Sequence, residues 1–429
     1  MAEPFCAPRR PKGWRTVKAK PPWLVWILLF PILAVACTPI DGDEPDPWAE
    51  GEPALLHPKA KGGALYVESV VVDFDIGFDA AVWQQFLAAW KPVKDTSTWF
   101  HCSFEFQGVR FLDAACRHKS TSAEPASEKK PPLVVRFDKW DDAGRFFGMR
   151  EINLEANPDH AAPVRDRIGM WIMRHSGIMA PRVNHARVTL NGQPLGLYQN
   201  VEVIDHEFLE QRFDPPIGNL YQQDTFDTWN LRTNSSTGNT KPVADLQALV
   251  AAWKAAPTTA QEDQLRSMVD VSQVLRESAA EMVLPVCDNF SNGGYNFYLY
   301  QTVDSRLVLF PWDLDEVISD GAPANADPWL FLGNLANSNV FPAIGLDMRK
   351  MLFSNASWKA EYDADVVEIR DGAYAAAKDR LAAVCAQIRG YVAEDPNAYG
   401  TIEQFDADCA RIAEQITQRS DYLRSALGR

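Results

Sequence analysis

Two stretches of the sequence gather residue types that could do chemistry together: the loop and strand Cys287-Asp-Asn-Phe-Ser-Asn-Gly-Gly-Tyr-Asn-Phe-Tyr-Leu-Tyr300, and the run Pro311-Trp312-Asp313-Leu314-Asp315-Glu316. The first puts Asp288 in a polar loop between a helical and a strand pattern, with Asn296 opening the strand, and loop acids at such junctions are often catalytic. The second ends an apolar strand, Arg306 to Phe310, in carboxylates at positions 313, 315 and 316. A strand end tolerates such a cluster when a cation or hydrogen bonds neutralise it. Phosphoryl transfer needs this set of types: carboxylates and an amide to hold a divalent cation on phosphates, a carboxylate to take the acceptor's proton, and cations for the phosphate oxygens. Two other readings fit the same acids. A capped strand end with surface carboxylates is the plain one. A carboxylate-based glycan hydrolase acting through Asp288 and Asp313 is the other, and it leaves the basic residues of the chain without a role.

The elements that must position these residues change character along the chain. Strand-like segments come first, at Ala64 to Phe74, Trp99 to Phe106, Val109 to Cys116, Leu133 to Phe137 and Ile152 to Leu154, rich in β-branched and aromatic residues between turn signals. They predict an antiparallel β-rich lobe. The spacing of Ile168, Trp171 and Ile172 predicts a helix over Val164 to His175 that stops at Gly177. Asn191-Gly192 between Ala186 to Leu190 and Leu195 to Val203 predicts a two-residue hairpin, because both central positions accept positive φ. Asp205 can cap a helix over Glu207 to Arg212. Helices then dominate, at Leu246 to Lys254, Thr259 to Met268, Val271 to Leu284 and from Met348 onward, interrupted by strands at Tyr295 to Gln301 and Arg306 to Pro311. The order predicts an α+β fold, β-rich at about 64–205 and helical at about 206–429.

Composition narrows the function classes. The chain of 429 residues is 46% hydrophobic and 23% charged, which is ordinary for a globular protein. Its net charge of -15 repels nucleic acid phosphates at long range, so no nucleic acid partner is expected. Residues 1–36 stand apart: Arg9, Arg10, Lys12, Arg15, Lys18 and Lys20 precede the apolar run Pro21 to Ala36, the layout of an export signal. That run is 16 residues long, short for a span of roughly 30 Å of hydrocarbon. Its end, Leu33-Ala34-Val35-Ala36-Cys37, resembles a bacterial lipobox, which would make Cys37 a lipidated first residue and anchor an exported protein to the cell envelope; an ordinary cleaved signal or an uncleaved anchor is the plain alternative. The acidic, Pro- and Gly-rich stretch 37–63 reads as a tether. Once Cys6 and Cys37 are set aside, Cys102, Cys116, Cys287, Cys385 and Cys409 remain, which allows two disulfides and one thiol, with Cys102 to Cys116 and Cys385 to Cys409 the suggested pairs, or five buried thiols.

An ordered series of short motifs runs from Val109 to Asp315. It comprises Arg117-His-Lys119-Ser120, then Lys129-Lys130-Pro-Pro-Leu-Val-Val-Arg136-Phe137-Asp138, Phe147-Gly148, Arg165-Asp-Arg167, Leu190-Asn-Gly192 through Gly196-Leu-Tyr198 to Glu202-Val-Ile-Asp205, Gly218-Asn-Leu-Tyr221, Asn296-Phe-Tyr-Leu-Tyr300 and Trp312-Asp-Leu-Asp315. In this order and combination the chain resembles the CotH family of atypical protein kinases over roughly half its length. The resemblance implies a protein-kinase-like, two-lobed fold that moves phosphate from ATP, with Mg²⁺ or Mn²⁺, to Ser or Thr of an exported protein. It implies Asp288 as the catalytic-loop base and Asp313 as the metal-holding acid, with Asn296 as companion ligand and Asp315 as second ligand or structural acid. Glu202 falls where kinase-like folds meet the nucleotide. Arg117 and Lys119 sit where a phosphate-covering loop would lie, while Lys130, Arg136 and Arg150 compete as the phosphate-pairing cation. Two positions depart from the family pattern: Ser120 replaces a usual glycine, and Gln222 a frequent lysine. Each departure also fits a non-catalytic surface protein on the same scaffold.

Overall fold

The computed structural model describes residues 61–90, 95–119, 130–225, 228–233, 248–249, 251–285, 289–293, 296–318, 324–329 and 344–428. Asp288, Ser120, Cys287, Cys37, the expected export signal and all but the last residues of the expected tether lie outside them. Lys61 to Gly63, read from the sequence as the end of the tether, belong to the folded body. The Gly62 amide donates to the Phe147 carbonyl at 2.8 Å, and the Lys61 ammonium pairs with Glu210.

The chain is α+β, with a β-rich first half and a helical second half. A short 3-10 turn, Gly63–Tyr66, replaces the first part of the strand expected from Ala64. It leads into β1 (Val72–Gly77), α1 (Ala80–Trp90), β2 (Phe100–Phe106), β3 (Val109–His118), β4 (Leu133–Arg136), β5 (Glu151–Glu155), α2 (Arg165–His175), β6 (Val183–Leu190) and β7 (Gln193–Val201). These strands close a barrel in the order β1-β2-β3-β4-β5-β7-β6. Closure is made by a parallel pairing of β1 with β6, so the lobe departs from the all-antiparallel expectation at that seam. Alternate residues of β1 and β2, among them Phe74, Ile76, Phe104 and Phe106, point into a core shared with Phe137, Phe146 and Tyr198. Cys102 and Cys116 form a disulfide across β2 and β3, with Cα atoms 6.0 Å apart. The β6-β7 turn carries Asn191 at φ 48 and Gly192 at φ 71, the double left-handed geometry that Asn-Gly accepts.

Beyond the barrel come α3 (His206–Glu210), β8 (Leu220–Thr225), β9 (Thr228–Thr233), α4 (Thr259–Met268), α5 (Val271–Val283), α6 (Phe290–Gly293), β10 (Phe297–Gln301) and β11 (Leu307–Pro311). The chain then continues into α7 (Ile344–Ser354), α8 (Ala356–Ile369), a π turn at Arg370–Tyr374, α9 (Ala375–Glu394) and α10 (Ile402–Leu427). The Asp205 carboxylate accepts from the Phe208 amide and caps α3, as its position predicts. A second sheet, ordered β11-β10-β8-β9, lies inside the helical half. Both faces of β10 and β11 are buried, which is why these two strands read as continuous apolar runs. Leu299 and Leu309 face the large helical core, and Tyr298, Tyr300 and Phe310 face a smaller cluster with Phe208. The edge of β11 is closed by a side chain: the Gln273 amide donates to the Leu309 carbonyl at 2.8 Å and accepts from the Leu309 amide at 3.1 Å. Cys385 and Cys409 join α9 to α10. Among the described residues, no helix is long and apolar enough to cross a membrane.

Candidate functional site

A cavity of about 230 Å³ opens where the barrel meets the second sheet, and its walls include Lys119, Glu155, Asp166, Asn296, Asp313 and Asp315. It is smaller than the roughly 300–1,000 Å³ of pockets that enclose whole small molecules. The wall residues arrive from the ends of five different elements. Lys119 follows β3, fixed there by its backbone amide donating to the Pro132 carbonyl at 2.8 Å. Glu155 ends β5, Asp166 stands in the first turn of α2, and Asn296 and Asp313 flank the β10-β11 pair.

The β11 end is held in an uncommon backbone form. The Trp312 amide donates to the Asn296 carbonyl at 3.0 Å, and both Asn296 and Asp313 adopt left-handed conformations, with φ 55 and φ 56. Asn157, which also lines the cavity, does the same at φ 47. Asn and Asp tolerate this region better than other non-glycine residues, and such departures cluster at functional sites when the surroundings fix them. Here Leu314 supplies the fixing. It is buried against α2 at Gly169, where an added Cβ would stand 3.1 Å from the Leu314 Cβ and 3.2 Å from the Val317 Cγ2. Gly169 lies three positions after Asp166, so this close approach sets Asp313 beside Asp166.

Charge within the cavity is unevenly satisfied. The Lys119 ammonium donates to Glu155 Oε1, which also accepts from Asn153 Nδ2 at 2.8 Å. The same ammonium lies 5.6 Å from the Trp312 ring centroid. Burial lowers the Lys119 pKa, against the pull of Asp313, Asp166 and Asp315. Burial, and Asp313 next to it, push Asp166 above the ordinary carboxylate range, although hydrogen bonds from the Leu314 backbone and Asn157 oppose them. Asp166 Oδ1 is buried and has no hydrogen-bond partner. Paired acids with one orphaned oxygen are a donor set that a hard divalent cation fits. Among the described residues, no three His, Cys, Asp or Glu converge as a protein-only metal cage. A cation carried on phosphates needs one or two carboxylates, not a full cage.

The cavity therefore brings together Lys119, Asn296, Asp313 and Asp315 from the residues singled out in the sequence. Gln222 lines it too, whereas Arg117, Lys130, Arg136, Arg150 and Glu202 do not. Lys130 is buried in an ion pair with Asp395 at 2.8 Å and donates to the Leu197 carbonyl at 2.7 Å, so its charge joins the barrel to the segment after α9. Arg136 is engaged with Asp138 at 2.5 Å and lies 3.8 Å from Glu151. Arg150 approaches Asp138 at 3.4 Å and Glu207 at 3.3 Å. Glu202 is fully buried between Arg182 at 2.8 Å and Arg212 at 2.9 Å. Arg117 stacks 4.9 Å from the centroid of Trp99 and donates to the Thr96 and His118 carbonyls, outside the cavity wall. Asp288 lies outside the described residues. Just after it, the Phe290 and Ser291 amides donate to the buried Glu281 carboxylate at 3.2 Å and 2.9 Å. Sequence reasoning missed Asp166, Glu155 and Asn157. Asp166 sits in the middle of Arg165-Asp-Arg167, and an acid on the helix face that also carries Gly169 was the available signal.

Acids and an amide gathered at element ends opposite a partly buried, acid-oriented lysine define a site suited to anionic phosphates and their cation. The CotH kinase protein family matches residues 122–423, and the chain belongs to that family. Lys119 lies just ahead of the matched stretch. The chain is also 24% identical over 300 residues to the inner spore coat protein H of Bacillus subtilis (strain 168), covering 66% of this chain and 80% of that protein.

Proposed function

We propose that this CotH-family protein transfers the γ-phosphoryl group of ATP, with Mg²⁺ or Mn²⁺, to a Ser or Thr hydroxyl of a protein in the cell envelope or outside the cell. The observation that carries this reading is the convergence of Asp313 and Asn296 with Lys119 on one cavity. In it Lys119, oriented by Glu155, binds phosphate oxygens, the pairing that protein kinases use to place the phosphates. Asp313 and Asn296 hold the cation, which when bound neutralises charge on the phosphate oxygens. Asp288 takes the proton of the acceptor hydroxyl as its oxygen bonds to the γ-phosphorus and the bond to ADP breaks. Cys37 anchors the exported protein to the membrane by lipid. The name of the Bacillus relative points to a coat or envelope assembly as the setting.

The expected outcome is transfer of ³²P from ATP to protein in the presence of Mn²⁺ or Mg²⁺, reduced on the order of a thousandfold in Asp313→Asn. Wild-type transfer in that variant defeats the proposal. One observation favours a second reading, a non-catalytic scaffold that binds envelope partners. Gln222, neutral where the family often has lysine, lines the same cavity. Absence of any ATP-induced thermal shift, with and without Mn²⁺, would decide for it.

A further inference from the structure

The cavity contains a carboxylate, in the middle of Arg165-Asp-Arg167, to which the sequence reading gave no role. Asp166 is 2% exposed, lines the cavity wall, and leaves Oδ1 without a hydrogen-bond partner. A buried carboxylate oxygen left unmatched is costly and persists where something else meets it. The geometry around it is fixed from two sides. Gly169, one turn further along α2, lets Leu314 seat against the helix, and that contact brings the chain at Asp313 alongside the first turn. Lys119 does not close the gap, because its ammonium is committed to Glu155. Asp315 also lines the cavity but is more exposed than Asp166.

We infer that Asp166, not Asp315, is the second protein carboxylate of the cation site, working with Asp313 across the α2-β11 contact. This rests on the phosphoryl-transfer reading above and deepens it by naming a ligand. The pair supplies two hard oxygen donors from adjoining elements, and Asn296 and the phosphates of ATP fill further positions. The helix N-terminus offsets part of the repulsion between the two acids while the cation is absent.

The test measures Mn²⁺ binding directly, by loss of the free-ion electron paramagnetic resonance signal, for the full chain with ATP present. Asp166→Asn keeps the size of the side chain and an oxygen that can accept from the Leu314 amide. It is expected to weaken Mn²⁺ binding on the order of tenfold or more, as Asp313→Asn does, while Asp315→Asn stays within about twofold of wild type. Unchanged affinity in Asp166→Asn, alongside loss in Asp313→Asn, overturns this inference and leaves the kinase reading standing. A wild-type chain that binds no Mn²⁺ with ATP defeats the kinase reading itself. Should Asp166→Asn melt early, Asp166→Glu retains the charge but shifts the oxygens. A folded Asp166→Glu protein is expected to bind Mn²⁺ at least about threefold more weakly, and wild-type affinity in it overturns the assignment.

Discussion

Glu202 shows how a lone carboxylate can serve structure where its sequence position suggests a ligand. Burial alone would raise its pKa, but Arg182 and Arg212 and their hydrogen bonds hold it down to about 2. A carboxylate with a depressed folded pKa stabilises the protein above its unfolded value of about 4.3, and that contribution is lost as pH falls toward 2. Acid titration of wild type is therefore expected to show stability falling between about pH 4.5 and pH 2. Glu202→Gln should remove part of that slope and lose about 3–5 kcal/mol at pH 7, because two buried guanidiniums lose their partner. An unchanged urea midpoint at pH 7 in the variant contradicts this. Sequence reasoning could not separate Glu202, Lys130 and Arg136 from ligands, since a single charged residue looks the same whether its partner is a phosphate or a buried opposite charge. Asp313 and Asn296 could be singled out because they flank strand patterns, and Lys119 because of the family resemblance; the structure brings the three to one cavity.

At the scale of elements, the Gly169 contact makes α2 and the end of β11 a single unit. Gly169→Val places branched carbons against Leu314 and Val317, where a Cβ alone already approaches within 3.1 Å and 3.2 Å. Overpacking of this kind should destabilise by about 1–3 kcal/mol. It should also reduce the ATP-induced thermal shift more than its own melting temperature drop explains, because Asp313 moves with Leu314. A variant that melts early but keeps the full nucleotide shift would show that the contact is mere packing. Most elements could be read in advance where pattern and punctuation agreed, as in the Asn191-Gly192 hairpin, the Asp205 cap and the helix Thr259–Met268. The misses have physical causes. The pair β8 and β9 is polar, with Gln222, Gln223, Asp224 and Asn230, so it lacks the alternation that marks a strand. The parallel seam of β1 with β6 depends on a partner more than a hundred positions away, and local spacing carries no trace of it.

For the whole molecule, the two halves are joined by charges contributed late in the chain. Asp395 accepts from Lys130 Nζ at 2.8 Å and from the Leu197 amide at 2.9 Å, and an added Cβ at Gly196 would stand 2.2 Å from its Oδ1. Asp408 pairs with Arg165 of α2 at 2.9 Å and accepts from the Ala162 amide at 3.0 Å. Asp395→Ala leaves a buried ammonium unpaired and should lower the unfolding free energy by about 3–5 kcal/mol, read as an earlier urea midpoint, with Lys130→Met in the same background recovering part of it. No recovery in the double variant would mean the loss comes from elsewhere. The disulfides fall differently, each closing a local loop, with separations of 14 and 24 residues. Local loops can close while a chain is still being made, but Arg165 meets its acid 243 residues downstream and Lys130 waits for one 265 residues away. The α2 helix that carries Asp166 is thus docked by a residue that emerges from the ribosome more than two hundred positions after it. A growing chain can shape its barrel early, yet Arg165 and Lys130 stay without these acids until residues 408 and 395 have been made.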